Sequence, residues 1–261
     1  MLKTLRSLFI FGIVLSCGFT MQADDDGMVR TIVIDAGHGG KDPGTRGKIS
    51  KEKDVVLDLA LQVATKIRIE MPEIRIILTR NSDRFVELRD RSGIANRRKA
   101  DLFISIHCNA SPSSKAVHGT ETFAMGLHKS TENLAVAKRE NAVILQEKDY
   151  EKKYEGFNLN SPLAYIMLAN RQNAYLASSL AFADGVERQF KKHAKRSSRG
   201  VKQAGFLVLW QTAMPSILIE AGFLSNVEEE KYLNTEEGQE EIAESIFRAF
   251  QQYKKDVEAN N

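Results

Sequence analysis

Residues Thr31 to Gly40 read TIVIDAGHGG. The first five are mostly apolar and rich in β-branched side chains, which predicts a short buried strand. Gly37, Gly39 and Gly40 then let the backbone turn sharply and leave the imidazole of His38 open. Working outward, Glu52 to Ile69 reads as a helix, with Val55, Val56, Leu59, Ala60, Val63 and Ile67 on one face. Ile74 to Leu78 (IRIIL) is a second strand, and Glu87 to Lys99 a helix with arginines on its outer face. Asp101 to His107 (DLFISIH) is a third strand and Gly119 to Met125 (GTETFAM) a fourth. A polar helix is expected from about Glu132 to Lys148. Another is expected from the Ser161-Pro162 start to about Ala194, with serine as N-cap and proline at N1. Phe206 to Leu209 and Ser216 to Glu220 read as two further strands, and Thr235 to Tyr253 as a closing amphipathic helix. The alternation predicts an α/β fold in a single domain, with a mostly parallel central sheet and helices on both faces.

The chain has 261 residues, 43% of them hydrophobic and 27% charged, with a net charge of +3. That is an ordinary globular composition, and the charge is too small to argue for nucleic acid. The first residues read as an export signal, about 1–23. Lys3 and Arg6 precede an apolar stretch, Leu8 to Ser16 (LFIFGIVLS), and Asp24 to Asp26 follow. The apolar stretch is about half of the roughly 20 residues that a spanning helix needs. Cleavage after Ala23 would release the chain into the periplasm. Val14-Leu15-Ser16-Cys17 also loosely resembles a lipoprotein box, so a membrane is expected only if Cys17 is lipidated. Cys17 and Cys108 are the two cysteines, which excludes a disulfide framework.

Four places put reactive side chains where strands end or helices begin. His38 sits in the glycine turn. Glu52 lies in the first turn of its helix, where an acid favourable to the helix dipole is common. His107 ends the strand LFISIH on the face opposite Ile104, Ile106 and Cys108. Cys108 therefore points to the core as a small apolar residue. Glu220 ends the aliphatic run Ile217-Leu218-Ile219, where a buried carboxylate is costly without a partner. Two histidines and a glutamate form a known catalytic zinc set with an open position for water. A further glutamate would take the proton from that water. The residues alone leave open which glutamate plays which part. A phosphate loop is disfavoured, because no G-x-G-x-x-G or Walker lysine-serine pair occurs.

At these residues the chain resembles the zinc-dependent N-acetylmuramoyl-L-alanine amidases of the cell-separation type. The matching stretches are IDAGHGGKDPG (Ile34 to Gly44), KEKDVVLDLA (Lys51 to Ala60), LTRNSD (Leu78 to Asp83), LRDRSGIAN (Leu88 to Asn96), ADLFISIHCNA (Ala100 to Ala110) and PSILIEAGFLSN (Pro215 to Asn226). The resemblance implies Zn2+ held by His38, Glu52 and His107, with Glu220 as general base. It implies peptidoglycan as substrate, cut at the amide between N-acetylmuramic acid and L-alanine, and a catalytic domain over about 28–258. It also implies that a helical insertion at about 126–172 can carry an inhibitory zinc ligand, for which Glu140 fits best. An activator protein acting on that helix would then relieve the restraint. The other reading of the segment is a charged surface helix that shapes the substrate groove. Two further functions stay open: a zinc carboxypeptidase on wall stem peptides, with Arg80 or Arg89 clamping a substrate carboxylate, and a non-catalytic wall-binding module.

Overall fold

A computed structural model describes residues 27–169 and 174–259 of the chain. The expected export signal and Cys17 lie outside them. The elements run β1 (Thr31–Ala36), α1 (Glu52–Glu70), β2 (Arg75–Leu78), α2 (Leu88–Arg97), β3 (Leu102–Asn109), β4 (Thr120–Met125) and α3 (Thr131–Asn141). A 3₁₀ turn (Ala142–Gln146) follows, then α4 (Tyr150–Lys153), α5 (Pro162–Ala169), α6 (Leu176–Lys192), β5 (Ser198–Ala204), α7 (Leu207–Trp210), β6 (Ser216–Phe223), α8 (Val227–Leu233) and α9 (Glu236–Ala259).

The six strands form one sheet in the order β2-β1-β3-β6-β4-β5. β2, β1, β3 and β6 are parallel; β4 runs antiparallel to β6 and carries β5 parallel to itself. Every residue of β3 and β6 is buried, as expected of strands covered on both faces. On one face Ile32, Ile34, Ile104, Ile106 and Cys108 pack with α1, α6 and α9. On the other, Val33, Phe103, Phe123 and Leu218 pack with residues of α2, α3 and α7. The predicted fold class, a mostly parallel sheet with helices on both faces, is the observed one.

Local chemistry sets the ends. α1 buries Val55, Val56, Leu59, Ala60, Val63, Ala64 and Ile67 on one face. It stops at Met71, where Pro72 disfavours further helix. Ser130 caps α3, its hydroxyl accepting from Asn133 N at 3.2 Å.

Four expectations need correction. The run Phe206 to Leu209 is part of a short helical turn rather than a strand, while β5 is a strand that the sequence did not announce. The polar helix ends at Asn141 and continues as a 3₁₀ turn. The long helix expected from Ser161 is two elements, α5 and α6. α2 does not turn all its arginines outward, since Arg91 is 1% exposed.

Candidate metal centre

The parallel strands deliver their carboxyl ends to one edge of the sheet. β3 and β6 are neighbours in register, so His107 lies directly opposite Glu220. β1 ends at Ala36, and the next turn swings His38 over that edge. His38 takes a left-handed φ of 58°, followed by Gly39 at 119° and Gly40 at 57°. Gly37 has no room for a side chain, because a Cβ there would stand 2.4 Å from Cε1 of His107. Glu52 enters from the first turn of α1 and Glu140 from the last turn of α3.

Two buried arginines shape the His38 turn. Arg80 donates to the carbonyls of Ala36, Gly37 and Lys53 at 2.9, 2.7 and 2.7 Å. Arg91 donates to those of Ala36 and His38, each at 2.7 Å. Arg91 is neutralised by Asp35 at 2.8 Å, which also accepts from Thr79 and Ser105. Burial opposes the charge on Asp35, yet Arg91 and the two hydroxyls hold its carboxyl below the usual range. Arg80, Arg91 and Asp35 gave no signal as a set in the sequence. Arg80 reaches Ala36 across 44 residues and Arg91 reaches Asp35 across 56.

The centre itself gathers His38, Glu52, His107 and Glu140, with one ligand atom of each within 4.8 Å of the others. His38 Nε2 lies 3.0 Å from Glu52 Oε1 and 3.3 Å from Glu140 Oε2. His107 Nδ1 lies 3.1 Å from each of the same two oxygens. Ligands about 2.0–2.2 Å from a tetrahedral ion would stand about 3.4 Å apart, so these spacings suit one small cation. Hydrogen-bond geometry agrees. His38 Nε2 and Glu140 Oε2 are buried without a hydrogen-bond partner although their distances are short. Both atoms are thus free to serve as ligands of one ion.

Neighbouring groups fix the orientation. Asp42 Oδ2 accepts a hydrogen bond from His38 Nδ1 at 2.7 Å, which leaves Nε2 for the centre. Glu52 accepts from the backbone of Cys108 at 2.9 Å and Thr45 at 2.7 Å. Burial disfavours imidazolium, but the surrounding carboxylates prevail: His38 is raised well above its ordinary value, and His107 to about 9. Glu52 is driven low, mainly by His38 against the cost of burial. Glu220 is fully buried, and burial together with Glu140 pushes it well above the usual carboxylate range. A carboxylate of raised basicity beside the cation site suits proton transfer.

Arg139 ties α3 to this edge. It donates to Glu140 Oε1 at 2.9 Å, to the carbonyl of Ala110 at 3.2 Å and to Glu220 Oε1 at 3.4 Å. Beneath the helix, the cavity touching His38, His107 and Glu140 measures about 10 Å³, no more than one water needs. Arg139 and Asp42 were missed in the sequence; adjacency to Glu140 and the four-residue step from His38 were the available signals.

A family model described as N-acetylmuramoyl-L-alanine amidase matches residues 32–252. The N-acetylmuramoyl-L-alanine amidase AmiC of Escherichia coli O6:H1 is 37% identical over 225 residues, covering 85% of this chain and 52% of that protein. The chain thus spans about half the length of that relative. Among solved structures, the catalytic domain of CwlV, an N-acetylmuramoyl-L-alanine amidase from Bacillus (Paenibacillus) polymyxa var. colistinus, superposes with a TM-score of 0.64 at 30% identity. The match covers 87% of this chain and 99% of that one. The CwlD amidase of Clostridioides difficile, solved in complex with the GerS lipoprotein, gives 0.62 at 25% identity over 86% and 98% of the two chains.

Proposed function

The chain belongs to the N-acetylmuramoyl-L-alanine amidase family, and on that premise we propose that it hydrolyses the amide joining N-acetylmuramic acid to L-alanine in peptidoglycan, using zinc. The observation that carries this reading is the convergence of His38 Nε2, His107 Nδ1 and Glu52 Oε1 beside Glu220. His38, Glu52 and His107 would hold the ion, a two-nitrogen, one-carboxylate set suited to zinc. A zinc ion held there would acidify the attacking water and polarise the scissile carbonyl. Glu220 takes the proton as the water oxygen bonds to the lactyl carbonyl carbon. When the carbon–nitrogen bond breaks, Glu220 returns that proton to the departing L-alanine nitrogen.

Glu140 would be a fourth ligand that restrains the enzyme. Its carboxylate takes the place that water needs, and α3 covers the centre. Activity then depends on withdrawing α3, the step for which an activator protein is proposed. The insertion offers such a partner apolar surface, with Leu163, Ile166 and Met167 of α5 in solvent. Action is placed in the periplasm, where the substrate lies, after export directed by residues 1–23. Lipidation at Cys17 would tether the chain to a membrane.

The carboxypeptidase alternative loses one of its clamps, because Arg80 is fully buried and committed to backbone carbonyls. Digestion of purified peptidoglycan separates the readings. A new free L-alanine amino terminus is expected; released D-alanine would mean a carboxypeptidase, and no product from wild type or from Glu140→Ala a binding module. The restraint is tested on the same substrate without any partner. Glu140→Ala should raise turnover, and unchanged turnover with zinc content and folding intact would remove Glu140 from the account.

A further inference from the structure

Beside the proposed base lies a second charged group that the reaction does not use. Glu121 of β4 stands opposite Glu220 of β6 in the antiparallel register. It is 2% exposed, and its Oε2 accepts from both Arg199 Nε, at 3.0 Å, and Lys202 Nζ. Residues three apart on a regular strand point to opposite faces. Here they share a face because β5 carries one extra residue. Thr120 pairs with Ser198 but Thr122 with Val201, and Gly200 within the bulge has a φ of 80°. A bulge that re-aims a side chain next to a reactive site is a recurrent device.

These cations line a cavity of about 410 Å³ between α3 and the β4–β5 edge, together with Glu121, Glu132 and Arg139. Arg199 gives only its Nε to Glu121. Its two Nη groups make no hydrogen bond among the described residues, and its side chain is 40% exposed. Two cations face one buried carboxylate on the strands, so positive charge is left over for a ligand. When α3, with Glu132 and Arg139, moves away, that surplus remains on the sheet.

We propose that Arg199 and Lys202 form a carboxylate subsite for the stem peptide, holding the free α-carboxylate of the acidic residue that follows L-alanine. The inference rests on the amidase reading above. β5 lies two strand spacings, about 10 Å, from β6, and the arginine reaches back over Glu121. An extended peptide covers about 7 Å in two residues, so a carboxylate there meets the Arg199 fork while the scissile amide faces Glu220.

The test uses soluble muramoyl peptides whose second residue carries either a free carboxylate or its amide, with the wild-type chain and Glu140→Ala as enzymes. The free acid should be cleaved with a kcat/KM about tenfold or more above the amide, the scale of one charge-assisted hydrogen bond. Arg199→Gln, which leaves Lys202 to neutralise Glu121, should bring that ratio close to one through KM rather than kcat. Arg199→Lys should restore part of it. A ratio of one in the parent enzymes, or a ratio that survives Arg199→Gln, overturns the subsite while leaving the amidase standing. Cleavage of neither peptide by either enzyme overturns the amidase reading and the subsite with it.

Discussion

Asp35→Asn isolates the ion pair beneath the His38 turn. The substitution keeps the shape of the side chain, and Oδ1 can still accept from Thr79, which donates at 2.6 Å in the native protein. Ser105 Oγ, now a donor at 2.7 Å, can rotate to accept from the new amide. What disappears is the negative charge facing Arg91, which is 1% exposed and has no other carboxylate partner among the described residues. Stranding one member of a buried pair costs about 3–5 kcal/mol, a large share of the roughly 5–15 kcal/mol that holds a domain folded. At about 2–4 °C per kcal/mol for a chain of this size, the melting temperature should fall by about 6–20 °C. Urea unfolding at pH 7, with midpoint and slope fitted together, measures the loss. The pH dependence supplies a second check. Asp35 sits below the ordinary aspartate value of about 3.9. Its contribution is therefore complete above that pH and lost as acid protonates the folded form. Wild type and Asp35→Asn should converge as the pH drops below about 4. A loss under about 1 kcal/mol at neutral pH, or a gap that ignores acid, would refute the assignment of this pair as the support of the turn.

Other outcomes follow from the centre itself. His107→Ala should abolish zinc retention, and elemental analysis finding a full equivalent in that variant would remove His107 from the ligand set. Glu220→Gln should fold and bind zinc yet lose about 10²–10⁴-fold in turnover; near-normal hydrolysis would move the base elsewhere. In chelated protein both histidines have raised pKa values, His107 at about 9. Their stabilising contribution is complete below about pH 6.5 and fades as the pH climbs through the folded values. Zinc needs neutral imidazoles, so its uptake at pH 7 should release protons, and its affinity should climb across the same window. Titration in buffers of different ionisation enthalpy reads both, and zinc uptake without proton release at pH 7 would contradict the histidine assignment.

Much of this was legible in one dimension because β1, β3 and β6 carry short apolar runs that lead into a polar residue near the strand's end, Asp35, His107 and Glu220. Such runs state both the strand and the edge where it stops. β5 escaped notice because Ser198-Arg199-Gly200-Val201-Lys202 is polar, half-buried and bulged, the profile of an edge strand. The run Phe206 to Leu209 misled for the opposite reason. Four apolar residues carry too little periodicity to separate a strand from a turn of buried helix. His38, Glu52, His107 and Glu220 could be placed near strand or helix ends from local pattern, and the family resemblance suggested their roles. Arg80, Arg91 and Asp35 could not, since several of their partners are backbone carbonyls and hydroxyls more than 40 residues away. A sequence pattern has no term for such distant contacts.

The register of β3 against β6 divides the molecule by timescale. His107 and Glu220 sit on adjacent strands whose spacing is set by backbone hydrogen bonds at about 4.8 Å. Their separation can change only if the middle of the sheet comes apart, so amides there should exchange with solvent at the rate of global unfolding. Glu140 hangs from a helix held by side chains alone, through Val136 and Ala137 in the core and through Arg139 and Asn141, and its amides should exchange through a smaller opening. On the proposed assignment, ligand and base would therefore behave as permanent fixtures of the sheet, and withdrawal of the segment above them would leave their alignment undisturbed.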